Sequence, residues 1–198
     1  MNNTLRHYGA LSAYGSDIPI ACAGIISKVN QVFMAICIGI SQGSQPILGF
    51  NYGAEKYSRV RQTYRYSVTL CTVIATIFFI CFQFFPHQIV GIFGNGSDLY
   101  FHFAEKYLRI FMLMTFANGI QPMSACFFTS IGKARLGVIM SLTRQVLFLL
   151  PLIVIFPVFF GIDGVMYAGP IADTSAFVLA VVFARRELGV MKTAEQNA

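Results

Sequence analysis

Five long apolar runs, separated by short polar connections, constrain this chain more than any other feature. The runs cover residues 18–48, 66–85, 99–131, 136–160 and 162–184. An apolar segment of about 20 residues is long enough to cross the hydrocarbon core of a bilayer as a helix. The runs are too long for strands, and a bilayer requires that backbone polar groups be satisfied within the segment. The pattern therefore predicts an all-α integral membrane protein, a bundle of about five transmembrane helices.

The charge content agrees with this class of protein. Only 11% of the 198 residues are charged and 56% are hydrophobic, whereas soluble domains have roughly 25% charged residues. The net charge of +6 comes mainly from Lys and Arg in the short connections. That distribution is typical of membrane loops and not of a nucleic-acid-binding surface. We therefore expect the lipid bilayer as a partner and no nucleic acid.

Basic residues alternate between connections, and the alternation predicts an orientation. Lys and Arg occur within residues 56–65, 133–135 and 185–192, but the connections 85–100 and 161–164 contain none. Connections rich in Lys and Arg stay on the cytoplasmic side. The pattern predicts a multi-pass protein of the plasma (inner) membrane with its N-terminus outside and its C-terminus in the cytoplasm.

Five helices with an exterior N-terminus and no signal peptide suggest that a preceding helix is missing. We expect residues 1–17 to be the tail of such a helix followed by an exterior loop, and residues 185–198 to be a cytoplasmic tail. The chain would then be a fragment or truncated form of a larger protein.

Polar and thioether side chains share one helical face in the first run and another in the third. Lining of a substrate cavity by amides and thioethers would explain these stripes, and so would hydrogen bonding between packed helices. The sequence leaves both interpretations open. The candidate cavity residues are Gln31, Met34, Gln42 and Gln45 in the first run, and Met114, Asn118 and Gln121 in the third.

The remaining features of these two runs predict how they pack. Val29, Phe33, Ile36 and Ile40 lie roughly opposite the stripe of the first run, and we expect this face to meet lipid. Gly39 and Gly43 form a Gly-x-x-x-Gly beside the stripe, which is suited to close helix packing. A Gln-Pro step in each run predicts a kink.

Two ionisable side chains lie deep in the predicted spans. Asp173 is near the centre of the fifth run, where a charge costs about 2.5–3.5 kcal/mol on insertion scales. It therefore needs a partner, a water-filled cavity or a proton. Arg144 lies about 12 Å from one end of the fourth run and can reach Asp173 if the two helices are neighbours. The pair is a candidate proton relay, and the alternative is a purely structural ion pair.

No enzyme active site or metal site is indicated. The sequence has no nucleophile elbow, no phosphate-binding loop and no His-Glu-x-x-His motif. The five cysteines lie in apolar stretches without a Cys-x-x-Cys pair, and the three histidines are scattered. We expect no catalytic residue, no metal and no cofactor. Without a nucleotide-binding loop, an H⁺ or Na⁺ gradient is the simplest source of energy for transport.

Residues 39–65 combine a Gly-x-x-x-Gly and a Gln-Pro with Gly-x-Asn-Tyr-Gly-Ala and a basic loop. This order resembles the multidrug and toxic compound extrusion (MATE) family. Further similarity comes from Ala104–Met112, Thr129–Arg135 and Ala168–Asp173. The residues that carry the first motif are Gly39, Gly43, Gln45, Pro46, Gly49, Asn51, Tyr52, Gly53 and Ala54.

The resemblance implies a fold of two six-helix lobes, of which residues 1–198 form most of the C-terminal one. The chain looks like the last five helices of that lobe, preceded by the tail of the seventh helix. The implied function is ion-coupled (H⁺ or Na⁺) multidrug efflux, an antiport of lipophilic or cationic small molecules. The missing N-terminal lobe is the implied partner. Some members place an acidic residue in the tenth helix, and the matching helix here has none in its interior.

Two other functions remain open at this stage. The first is a flippase for lipid-linked sugars, which belongs to the same superfamily. The second is a non-transporting membrane subunit or the product of a decayed gene.

Overall fold

A computed structural model describes residues 2–12, 14–93 and 96–196 as a helical bundle. Residues 1, 13, 94, 95, 197 and 198, which fall in the predicted end segments and in one predicted exterior connection, lie outside this description. The elements are α1 (Asn2–Ala10), α2 (Asp17–Gly53), α3 (Tyr57–Phe84), α4 (Pro86–Phe93), α5 (Asp98–Phe111), α6 (Thr115–Asn118), α7 (Ile120–Ser130), α8 (Ala134–Leu142), a π-helical segment (Thr143–Leu149), α9 (Leu150–Phe160) and α10 (Asp163–Gln196).

The predicted fold class is confirmed. Within the described residues, four helical stretches are each long and apolar enough to cross a membrane, and the number rises to five when a bent pair of helices is counted as one span. The four are α2, α3, the continuous stretch from α8 to α9, and α10. The bent pair is α5 with the stretch Thr115–Ser130. Each of the five spans corresponds to one apolar run of the sequence.

The bent span, which is the third along the chain, bends before it reaches its proline. The two halves meet at 46° across the break between Phe111 and Thr115. At this break the Thr115 hydroxyl donates to the Met112 carbonyl oxygen at 2.7 Å, which gives that carbonyl a partner inside the turn. Pro122 lies in the first turn of α7, where the absence of a backbone N–H removes no helical hydrogen bond. This span therefore bends at a short turn and not at the predicted Gln-Pro step. The other Gln-Pro step, at Pro46, lies inside α2, which is one helix from Asp17 to Gly53.

The span from α8 to α9 contains a change in the backbone hydrogen-bonding pattern that no feature of the sequence predicts. Residues Thr143–Leu149 form a π-helical segment between α8 and α9. π-Helical segments inside longer helices occur frequently at functional sites. Arg144, one of the candidate residues, is the second residue of this segment.

The predicted lipid face of α2 is wrong at Val29 and Phe33 but not at Ile36, which is 38% exposed. Val29 and Phe33 are buried in the bundle core, with 6% and 0% of their surface exposed. The polar stripe of α2 points outward instead, and Gln42 and Gln45 are exposed. The reason is that the apolar face of α2 meets α3 and α5, which leaves the amide-bearing face on the surface of the bundle.

The predicted close packing at Gly39 and Gly43 is also not found, since a Cβ at either position would meet nothing within 4 Å. Close helix contacts occur at other glycines. A Cβ at Gly119 would lie 3.0 Å from the Cys71 carbonyl oxygen, and a Cβ at Gly169 would lie 2.7 Å from the Phe111 ring. These two positions bring α3 and α10 against the bent span.

Ion pairs join neighbouring elements at both ends of the bundle. At one end, α10 pairs with α3 and with the turn before α8. At the other end, α4 pairs with α5, and α5 with the start of α10. The ion pairs are Arg61–Glu195 and Lys133–Glu187 (2.5 Å) at the first end and Lys106–Asp163 (2.7 Å) at the second, where a hydrogen bond between His87 Nδ1 and Glu105 Oε1 (2.7 Å) joins α4 to α5.

The three basic segments of the sequence therefore lie at the same end of the bundle. Helix α10 continues through residues 185–196, and Glu187 and Met191 of this stretch are buried against the bundle. The predicted tail is thus a packed extension of the last helix. That this end faces the cytoplasm stays a prediction.

Labelling of single cysteines in intact cells tests the orientation. In a variant without the native cysteines, reporters are placed at Ser58, Gln88 and Gln196, all of which are exposed. We expect a membrane-impermeant maleimide to modify only Gln88→Cys, because the other two positions lie at the basic end of the bundle. After permeabilisation all three should react. Modification of Ser58→Cys in intact cells would contradict the orientation.

Candidate substrate cavity and its buried ion pair

A cavity of about 380 Å³ lies between α2, α7 and the junction of α8 with the π-helical segment. Ligand sites in proteins typically have volumes of about 300–1,000 Å³, so this space accommodates a small molecule or part of a larger one. Its wall combines amides, hydroxyls and apolar groups. The lining residues are Met34, Ile38, Ser41, Gln42, Gln45, Gln121, Pro122, Ala125, Cys126, Thr129, Ser141, Arg144 and Gln145.

Four of the seven candidate cavity residues line this space. They are Met34, Gln42, Gln45 and Gln121. Gln42 and Gln45 are exposed, so the cavity opens on the surface of the bundle beside them. Their role in binding stays a prediction, but the two helical faces that carry them do converge.

The other three candidates lie elsewhere. Gln31 is exposed on α2 but comes three turns before Gln42, about 16 Å along the helix axis. Met114 lies in the turn of the bent span, where the helical periodicity used to place it fails. Asn118 is buried and donates to Asp173, so its amide belongs to the ion pair described below.

Several lining residues were absent from the prediction. Ser41 follows Met34 by seven residues and lies on the same helical face, so the periodicity could have identified it. Its hydroxyl bonds the Cys37 carbonyl oxygen at 2.8 Å. Ser141 and Gln145 lie at the entry to the π-helical segment, and no pattern in the sequence indicates that they face α2.

Asp173 and Arg144 form a buried ion pair behind the cavity. Asp173 has 1% of its side chain exposed and Arg144 has 9%. Arg144 Nε donates to Asp173 Oδ1, and Asn118 Nδ2 donates to Asp173 Oδ2 at 2.7 Å. Both carboxylate oxygens thus have a donor, which a buried charge requires. The interaction joins α6, the π-helical segment and α10.

Gln121 links the cavity to the same segment. Its Nε2 donates to the Met140 carbonyl oxygen at 3.0 Å. Met140 precedes the π-helical segment by three residues, so this amide supplies a donor where the helical register changes. This hydrogen bond gives the Met140 carbonyl oxygen a partner within the protein, which a buried backbone carbonyl requires.

The arrangement defines a membrane-spanning helical bundle with a polar cavity and a buried charge pair next to it. Comparison with known proteins identifies the family. The MatE family model matches residues 9–160, and the chain belongs to this family, whose solved members are MATE transporters.

Curated relatives include the multidrug export proteins MepA of two staphylococci. The protein of Staphylococcus aureus strain MSSA476 is 25% identical over 197 residues, a match that covers 98% of this chain and 42% of that protein. The protein of Staphylococcus saprophyticus is 26% identical over 172 residues, which cover 87% of this chain and 37% of that protein. The chain therefore spans about two fifths of the length of these relatives.

Solved structures show the same fold. The MATE multidrug transporter DinF-BH in complex with R6G is 34% identical and superimposes with a TM-score of 0.79 over 90% of this chain and 40% of that one. An outward-facing MATE family transporter of the MOP superfamily is 15% identical, with a TM-score of 0.85 over 96% of this chain and 43% of that one. The bundle is therefore similar to part of a MATE transporter.

Paired substitutions measure how much the ion pair stabilises the bundle. Asp173→Asn leaves Arg144 buried without its carboxylate, and we expect this to lower the free energy of unfolding by about 3 kcal/mol. Combining it with Arg144→Gln removes the unpaired charge and should recover most of the loss. The measurement is reversible unfolding by a denaturing detergent in mixed micelles, which gives the free energy of unfolding of each variant.

Asp163→Asn is the matched control. It also removes a carboxylate from an ion pair, but Asp163 and Lys106 are 35% and 37% exposed. We expect a loss below about 1 kcal/mol, as for other pairs accessible to water. Equal losses for Asp173→Asn and Asp163→Asn would contradict the importance of the buried pair.

Proposed function

We propose that this chain forms most of one lobe of an ion-coupled multidrug efflux antiporter in the plasma membrane. In this proposal it acts together with an N-terminal lobe, and the cavity between α2, α7 and the π-helical segment contributes to the substrate path. The observation that carries the proposal is the cavity's opening beside Gln42 and Gln45 on the surface of a membrane bundle.

Polar side chains on the outside of a membrane bundle need an explanation. Exposed amides are unfavourable against lipid tails because lipid offers no hydrogen-bond partner. Large apolar side chains form much of the remaining bundle surface, as at Ile77, Val154 and Phe159, which are 55%, 57% and 75% exposed. The amide-lined opening therefore favours contact with water and with a second lobe over contact with lipid.

The comparisons support the same proposal. The chain covers about 40% of each relative, the share expected of most of one lobe out of two. The relatives are named as multidrug export proteins or multidrug transporters. Transport of lipophilic or cationic small molecules by a protein containing this chain is the function proposed from them.

We also propose that the coupling ion acts at Asp173. This carboxylate is the only acidic side chain that is both buried and central among the described spans. A proton or Na⁺ can replace Arg144 at the Asp173 carboxylate only if the guanidinium moves away from it. Because Arg144 borders the cavity, there is space beside it for such a movement. The π-helical segment that carries Arg144 is the element whose register would allow such movement.

A chimeric transporter tests the proposed function. The N-terminal part of DinF-BH, up to the start of α2, is joined to residues 17–198 of this chain and expressed in a pump-deficient strain. We expect lower ethidium accumulation than in cells expressing the 198-residue chain alone, because a path between lobes needs both lobes. An inserted, monodisperse chimera that exports nothing, beside an active parental transporter, would contradict the proposal.

The same chimera tests ion coupling. Arg144→Gln combined with Asp173→Asn keeps the site neutral, so the protein should fold while efflux loses its dependence on the H⁺ or Na⁺ gradient. Asp163→Asn serves as the control and should retain it. Gradient-dependent efflux in the double variant would eliminate Asp173 as the coupling site.

The alternative function, a flippase for lipid-linked sugars, predicts a different result. In a strain that lacks such a flippase, a chimera that restores the envelope polymer but exports no drug would favour this alternative.

A further inference from the structure

We propose that α3 and the end of α10 bind one anionic phospholipid of the surrounding bilayer. An acyl chain of this lipid lies in a trough along α3, and its phosphate lies between Arg65, Arg185 and Lys192. The inference goes beyond the proposed function, because the trough shares no lining residue with the candidate substrate cavity.

The trough on the outer surface of α3 is the first observation. It has a volume of about 400 Å³, and its lining extends over residues 68–77, which is about 15 Å along the helix axis. Because α3 is long and apolar enough to cross a membrane, the trough runs along a membrane span. The lining residues are Val68, Thr69, Thr72, Val73, Thr76 and Ile77.

The threonine hydroxyls of the trough form hydrogen bonds within α3 itself. Thr69 donates to the Arg65 carbonyl oxygen at 2.9 Å. Thr72 and Thr76 donate to the carbonyl oxygens four residues before them, each at 2.8 Å. These hydroxyl protons are therefore not available to a ligand, and the valine, isoleucine and threonine methyl groups form the contact surface. Such a surface suits an acyl chain.

The ion pair between Arg61 and Glu195 sets the position of α3 relative to the end of α10. At this end of the bundle α3 begins and α10 ends, so the two helices run in opposite directions. Arg65 comes one turn after Arg61, and Lys192 comes one turn before Glu195. Both cations therefore lie about 4.5–6 Å further toward the trough than the ion pair, at similar depths.

The two cations also lie on the same side of the contact between α3 and α10. With 3.6 residues per turn, Arg65 is rotated by about 40° from Arg61, and Lys192 by about 60° from Glu195. Because the helices are antiparallel, both rotations carry the side chains to the same side. Thr76 is rotated by about 60° from Arg61, so the trough opens on this side as well.

A third cation completes the charged part of the site. Arg185 lies two turns before Lys192 on the same face of α10, and its long side chain can reach toward the headgroup level. Arg65, Arg185 and Lys192 are all exposed. Within the described residues, none of the three forms an ion pair, whereas Glu187 and Glu195 of the same stretch of α10 are paired with other residues.

A phospholipid with a negative charge satisfies both parts of the site together. Lys and Arg clusters beside a membrane span attract anionic headgroups, and the trough begins within one turn of Arg65. A helix of another chain could fill the trough but would bring no phosphate to the cations. A free anion would bind the cations but leave the trough without an occupant.

Native mass spectrometry of the 198-residue chain in a neutral detergent tests the inference. Phosphatidylglycerol and phosphatidylcholine with the same acyl chains are titrated separately. We expect one phosphatidylglycerol to bind at least about 10-fold more tightly than phosphatidylcholine, because only the first has a net negative charge. Equal affinities, no binding by the folded chain, or a dimer of the chain in place of a lipid complex would overturn the inference.

A soluble competitor distinguishes a lipid site from a simple anion site. Glycerophosphoglycerol has the headgroup of phosphatidylglycerol without its acyl chains. In 10-fold excess it should leave the bound phosphatidylglycerol in place, because it makes no contact in the trough. Displacement by this competitor would show a site for anions alone and would overturn the role of the trough.

Charge variants assign the preference to the proposed cations. In Arg65→Gln combined with Lys192→Gln, the preference for phosphatidylglycerol should fall below about 3-fold. Lys56→Gln combined with Arg135→Gln is the matched control, since it removes the same charge from exposed positions at the same end of the bundle. The control should keep the full preference. An equal loss in both double variants would overturn the site.

A variant that fills the trough tests the acyl-chain contact. Thr76 is exposed, so Thr76→Trp adds a ring to the trough without disturbing the core. We expect it to weaken binding of both lipids at least about 5-fold and to leave the headgroup preference intact. Val154→Trp, at a position that is 57% exposed on α9, should change neither affinity. Unchanged affinities in Thr76→Trp would contradict the trough.

Discussion

The buried contact between Asp173, Arg144 and Asn118 is the interaction on which the centre of this bundle depends. A carboxylate with 1% of its side chain exposed, in the middle of a membrane helix, is tolerated only when donors surround it. Those donors come from three different elements. The contact therefore fixes how the bent span, the π-helical segment and α10 are placed relative to one another.

The same contact connects the core to the cavity. Arg144 donates through Nε to Asp173 and is also one of the residues that line the cavity. In the proposed function, a coupling ion takes the place of Arg144 at Asp173, so binding of the ion moves a side chain of the cavity wall. An arginine shared in this way is a simple physical basis for coupling between the ion and the cavity.

Much of the fold could be predicted from the sequence, because membrane spans are defined by composition over about 20 residues. The five apolar runs correspond to the five spans, and the family motifs lie in the expected order. The pairing of Arg144 with Asp173 could be predicted from the position of each residue within its apolar run, because two charges inside a bilayer have few other partners. Helical periodicity identified the faces that carry Gln42, Gln45 and Gln121, but it did not predict that the two faces converge.

The errors arose where tertiary contacts override periodicity. The apolar face with Val29 and Phe33 was assigned to lipid, yet lipid and protein core are equally apolar, and only the packing of α3 and α5 decides between them. Asn118 was assigned to the cavity because regular helical periodicity was assumed from Met114 to Gln121, whereas the span bends after Phe111 and the Asn118 amide contacts Asp173. The π-helical register, which brings Gln145 to the cavity, has no signature in composition.

The central claim is that the amide-bearing face of α2 meets water inside a transporter and not lipid. Spin labels at Gln42 and at Ile77 in the two-lobe chimera measure this most directly, through their collisions with oxygen, which partitions into lipid, and with a water-soluble nickel chelate. We predict that the label at Gln42 collides mainly with the chelate, and the label at Ile77, on the exposed apolar surface, mainly with oxygen. A label at Gln42 that behaves like the one at Ile77 would contradict the claim.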